Sequence, residues 1–142
     1  MQLKLVITAF LLTVSAFSFA QKSPFRGKFY CKEKGITLFL NIESESITVP
    51  DYEFLGEMYG YMVGDNSECL YGTWFVLNRK IKDKQLELRL TNDIGSDGQT
   101  IEFTQLSDST FNYRTIGGNS IKKAIKRKLY NIDNTMQFVK VA

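Results

Sequence analysis

The chain holds no histidine, and that count decides much of the chemistry open to it. Ser/His/Asp and Cys/His nucleophilic sets, histidine general bases and histidine-containing metal sites are excluded together. Two cysteines remain, Cys31 and Cys69. Neither lies in a Cys-x-x-Cys pair or beside a histidine, so neither carries the usual signal of an activated thiol. In an oxidising compartment they would join instead, and closing so long a loop stabilises by roughly 4 kcal/mol in the chain-entropy model. A Cys31–Cys69 disulfide is therefore expected, and a reactive thiol is the weaker reading.

Binding chemistry is better represented than catalysis. Tyr59, Gly60, Tyr61, Met62, Val63 and Gly64, followed by Tyr71, Gly72, Thr73, Trp74 and Phe75, form the segment richest in aromatics and glycine. Rings flanked by glycine can build a stacking wall, because glycine lets a ligand or a neighbouring strand come close. The candidate ligand-binding residues are Tyr59, Tyr61, Tyr71, Trp74 and Phe75, against the plainer reading of ordinary core rings. A basic run, Lys122, Lys123, Lys126, Arg127 and Lys128, could meet an acidic partner, an anionic glycan or a membrane surface, or simply be solvated. Asn92, Asp93, Asp97 and Gly98 resemble a fragment of a calcium loop but lack its spacing and its bidentate glutamate, which favours an Asx-rich turn. Asp65 and Glu68 carry no more specific signal. No pair among the 15 acidic residues is marked for acid and base work. No metal, cofactor or catalytic residue is assigned.

The elements that must position these residues are strands. Leu86, Leu88 and Leu90 alternate with Glu87, Arg89 and Thr91, the period of a strand with one buried face. Phe25, Gly27, Phe29 and Cys31 repeat it, as do Leu38, Leu40 and Ile42. Further strands are expected over 47–49, 57–63, 71–79, 99–105, 110–116 and 135–141, too closely spaced for crossover helices. Lys34–Gly35, Val63 to Asn66, Lys82 to Lys84, Gly95 to Gly98, Gly117 to Asn119 and Asp133–Asn134 supply the turns. An antiparallel sheet of about eight strands hides its edges by closing, so the fold class is an all-β, antiparallel up-and-down β-barrel, with a two-sheet sandwich as alternative. The period fails over Ser120 to Ile132, where Ile121, Ile125, Leu129 and Ile132 recur at helical spacing. A short helical turn over 120–126 is expected, then a strand from about Arg127 that pairs with Thr135 to Val141.

Lys4, the apolar run Leu5 to Phe17 and Ser18-Phe19-Ala20 read as a secretory signal peptide over 1–20, with a single domain over 21–142. The run falls short of the ~20 residues a spanning helix needs, and no cysteine follows it to take a lipid. The product is expected to be exported, periplasmic or extracellular, soluble and not lipid-anchored. A net charge of only +3 argues against bulk nucleic-acid binding.

An exported antiparallel barrel opening with Gly27, Lys28 and Phe29 resembles the lipocalin and wider calycin group. There a Gly-x-Trp motif on the first strand closes the barrel floor beneath a basic residue from a late strand. Phe29 stands in the tryptophan's place, and the resemblance implies Arg127 as the basic partner. In compactness the chain is similar to avidin-like barrels. An early strand with Phe29, Tyr30 and Cys31 also approximates small exported barrels that inhibit lysozymes. An eight-stranded interior is just wide enough to be filled by side chains or to hold one small ligand near its mouth. The leading expectation is a non-enzymatic barrel binding a small hydrophobic or aromatic ligand. The alternative is a packed barrel acting as a protein-interaction module or as inhibitor of a secreted enzyme.

Overall fold

A computed structural model describes residues 23–141, so the expected signal peptide over 1–20 lies outside the described residues. The strands are β1 (Gly27–Cys31), β2 (Ile36–Leu40), β3 (Ile47–Thr48), β4 (Glu57–Met58), β5 (Gly60–Gly64), β6 (Trp74–Lys82), β7 (Gln85–Asn92), β8 (Gly98–Gln105), β9 (Thr110–Gly118), β10 (Lys122–Ile125), β11 (Lys128–Asn131) and β12 (Thr135–Val141). Eight of them close a barrel in the order β1-β12-β9-β8-β7-β6-β5-β2, antiparallel throughout. Neighbours around the barrel follow one another along the chain, apart from two inserted hairpins, β3–β4 and β10–β11. The up-and-down barrel expected from the period-two pattern is therefore the fold. Among the described residues no helix is long and apolar enough to cross a membrane.

The alternation that builds the strands also fills the lumen. Phe29, Leu38, Leu40, Met62, Val76, Leu86, Leu88, Leu90, Ile101, Phe103, Phe111, Tyr113 and Phe138 are all buried inside. At the end carrying the chain's entry, Phe103 stacks on Phe111 with centroids 5.2 Å apart, while Phe29 meets both edge-on at 5.1 and 4.8 Å. Phe25 plugs the floor below them. At the opposite end Leu70, Ile121 and Ile132 reach in from the loops, and with Trp74 they close the mouth.

One buried polar network interrupts this oil. Tyr113 donates its hydroxyl to Gln99 Oε1, and Gln99 Nε2 donates to Thr115 Oγ1 at 3.1 Å and to the Asn119 carbonyl at 3.0 Å. Tyr113→Phe would leave a buried acceptor without its donor, and should destabilise by about 1–3 kcal/mol in chemical denaturation. Burial also pushes the Tyr113 phenol far above the ordinary tyrosine range, and burial raises Tyr61 in the same direction. A folded-state pKa above the unfolded value of about 10 keeps the proton on the folded chain where the unfolded chain loses it. The contribution is thus intact below about pH 10 and is lost as pH rises beyond it. Stability measured against pH should decline above about 10, and less steeply in Tyr113→Phe.

Two expectations about the chain fail. Residues 122–125 form strand β10, not a helical turn, and β11 pairs with β10 instead of β12, which lies between β1 and β9. The helical spacing arose from two unrelated duties: Ile121 and Ile132 cap the lumen, while Ile125 and Leu129 sit on the hairpin. Lys126 and Arg127 turn it with φ of 50° and 66°, left-handed values of a type I′ turn that glycine or asparagine usually signals. The expected Cys31–Cys69 bridge is not shown: both thiols are free in this structure. Cys31 is buried among the inward residues of β1, whereas the Cys69 sulfur lies outside them against Gly35 in the turn after β1. Burial pushes the Cys31 thiol up, against the direction of activation.

Candidate functional site

The five aromatic candidates occupy three different places. Tyr61 and Phe75 are on the outer wall, where β5 and β6 turn side chains away from the lumen. There the 41–59 excursion covers them: Val49, Ile47, Tyr52 and Met58 pack over Phe39, Tyr61, Val63 and Phe75. Phe39 stacks on Tyr61 at 4.6 Å, and Tyr52 meets Phe75 edge-on at 5.1 Å. The Tyr52 hydroxyl donates to Asp93 at 2.7 Å, tying the excursion to the turn between β7 and β8. Tyr59 lies elsewhere, under the Arg79 guanidinium, whose Nε donates to the Ile42 carbonyl.

Trp74 and Tyr71 alone share a site, at the barrel mouth. A cleft of about 250 Å³ is lined there by Tyr71, Trp74, Asn92, Ile94, Ser96, Asp97, Lys122 and Leu129. Its apolar groups are unusually open: Ile94 is 76% exposed, Leu129 54% and Tyr71 51%. Trp74 is only 2% exposed, and its Nε1 is a buried donor without an acceptor among the described residues. Such an orphan costs about 1–3 kcal/mol relative to a paired group, so it calls for a reason. The polar side is fixed by Asn92, which accepts from the Asp97 amide at 3.2 Å and donates to Ser96 Oγ at 3.0 Å, making the Asx-type turn favoured by the sequence. Asp97 in turn faces Lys122 at 3.8 Å. Sequence reasoning found Trp74 and Tyr71 but missed Ile94 and Leu129, whose only signal was being apolar in polar surroundings.

Two other clefts are found among the described residues. One of about 300 Å³ runs between Glu33, Lys34, Glu68, Cys69, Lys123 and Asp133, where Lys34 bridges Asp133 at 3.0 Å and that bond raises the lysine's pKa. The other is an outer-wall groove beside Arg79 and Arg89. Asp65 accepts from the Tyr30 hydroxyl at 2.7 Å, a bond that raises the phenol's pKa, and Glu68 sits in a turn held by Asn66. The cation above Phe29 is Lys140 of β12, 5.8 Å from the ring centroid, and not Arg127, which occupies the tip of the β10–β11 hairpin. Residue 140 lies directly across from Phe29 in the ladder, a position the sequence could not assign while β12's partner was mistaken.

No family model and no curated protein matches the chain. Among solved structures it is similar to Treponema pallidum Tp0751 (pallilysin), at 13% identity over 96% of this chain and 95% of that one, with a TM-score of 0.50. At that identity the likeness is one of fold.

Proposed function

We propose that the protein is an exported binding module whose barrel is a filled scaffold and whose working surface is the mouth cleft over Trp74. The observation that carries this reading is Trp74, which lines a cleft whose apolar walls stand exposed and whose indole Nε1 is buried without an acceptor among the described residues. A ligand entering between Ile94 and Leu129 with an apolar or aromatic group would cover those walls, and one acceptor on it would pair the donor once the indole edge opens to the cleft. Binding rather than catalysis is favoured because the cleft's one carboxylate, Asp97, faces an ammonium, and because the chain has no histidine. The export element rests on residues 1–20.

The chain has a single tryptophan, so its fluorescence reports from the cleft floor alone. Titration with small aromatic amides should shift Trp74 emission saturably. Leu129→Ser, on an exposed position, should weaken that binding by about tenfold while leaving the far-ultraviolet spectrum unchanged. An emission that stays fixed across a broad set of aromatic and aliphatic compounds contradicts the reading.

A further inference from the structure

The β10–β11 hairpin stands over the mouth cleft and has one edge taken and one edge open. On β10, the Ala124 amide donates to the Ser67 carbonyl at 2.9 Å, and the Lys122 carbonyl accepts from the Tyr71 amide at 2.7 Å. The loop before β6 therefore occupies that edge. The ladder pairs Ile125 with Lys128, Ala124 with Leu129, Lys123 with Tyr130 and Lys122 with Asn131. With a two-residue turn, Lys128 and Tyr130 exchange hydrogen bonds with β10, and the N–H and C=O of Leu129 and Asn131 face the other way. Among the described residues no strand pairs with that side of β11, and all four of its residues are exposed. In a barrel that closes every other long strand on two neighbours, this is an edge of the kind proteins ordinarily cover or blunt.

The charges around it are asymmetric. Lys122 faces Asp97 and Lys34 faces Asp133, but Lys126, Arg127 and Lys128 at the tip are exposed and form no ion pair among the described residues. Leu129 and Lys122 sit on the face that lines the Trp74 cleft. An edge donor, an edge acceptor, an apolar well beside them and an unneutralised cationic tip specify one kind of occupant. Resting on the mouth-cleft reading above, we infer that the ligand is an extended acidic peptide segment that adds to β11 as a third strand. Its carboxylates would face Lys126, Arg127 and Lys128, and one apolar side chain would enter over Trp74. An anionic lipid surface matches the charge but offers no main-chain ladder of alternating donors and acceptors to meet Leu129 and Asn131 in register, which favours the peptide.

The test uses the chain with Trp74 fluorescence and calorimetry as readouts, and a capped peptide alternating Glu and Leu as probe. Strand addition predicts saturable binding, weakened about tenfold or more by Lys126→Glu with Lys128→Glu. Two N-methylated versions, one at the odd and one at the even amides, should behave oppositely: one retains binding and the other loses it, because only alternate amides face β11. Equal affinity of both versions, or no effect of the charge reversals, overturns the inference. So does recruitment to phosphatidylglycerol vesicles without peptide binding. If small aromatic amides still shift Trp74 while the peptide does not bind, this inference falls and the mouth-cleft reading stands.

Discussion

Phe103→Ala is expected to lower the unfolding free energy by about 3–5 kcal/mol. Phe103 is fully buried on β8, and its ring touches four others: Phe111 stacked, Phe29 and Phe138 edge-on at 5.1 and 5.8 Å, and Phe25 at 6.3 Å. Those partners come from the entry segment and from β9, β12 and β1, which follow β8 consecutively around the barrel, so each strand is held by a ladder to its neighbour. No one of them can move into the space without breaking register, and the cavity term therefore adds to the lost transfer energy. Urea denaturation followed by two optical probes would measure the change. A loss below about 1 kcal/mol would mean that the rings repack and that the lumen is softer than its geometry indicates.

Gly60→Ala should be nearly as damaging, at about 3 kcal/mol, for a backbone reason rather than a core one. A Cβ at Gly60 would fall far inside van der Waals contact with the Phe39 carbonyl oxygen, and within 3.0 Å of Leu40 Cδ2. Gly60 faces Leu40 across the β2–β5 ladder and Val76 across β5–β6, so the strain lands on the two seams that join β5 to the barrel. A main-chain oxygen cannot rotate away as a side chain can. Hydrogen exchange at Leu38, Leu40 and Met62 should accelerate together with the fall in melting temperature. Alanine tolerated with no change in melting temperature would contradict the close approach.

These two positions also show what the sequence makes legible. Alternation along Leu86-Leu88-Leu90 and its repeats reveals the strands and their inward face, because one side of each strand meets oil and the other meets water. Where the outward positions are also apolar, as at Phe39, Tyr61, Val63 and Phe75, the run signals a strand covered on both sides. That covering layer is the 41–59 excursion, and without it Tyr61 and Phe75 read as candidates for a ligand wall. Over 120–132 the pattern misleads, since residues capping the lumen and residues on a protruding hairpin happen to fall at helical spacing. The turn there is made by Lys126 and Arg127 against their usual φ, so no composition signal marks it. The thiols show a similar limit: Cys31 is buried and Cys69 half-buried, and spacing along the chain does not give the separation or direction of two side chains. For the mouth cleft, Trp74 and Tyr71 stood out by type, but nothing in one dimension places Ile94 and Leu129 beside them.

On the proposal that the filled barrel works at its mouth, the decisive observable is the indole N–H resonance of Trp74. One tryptophan gives one such resonance in the heteronuclear spectrum of the isotope-labelled protein. On titration with an aromatic amide it should move saturably with the amides of Tyr71, Ile94 and Leu129, while Leu88, Phe103 and Phe111 inside the barrel stay in place. Shifts concentrated at Leu88, Phe103 and Phe111, with the indole resonance unmoved, would mean that ligand enters the lumen and that the claim is wrong.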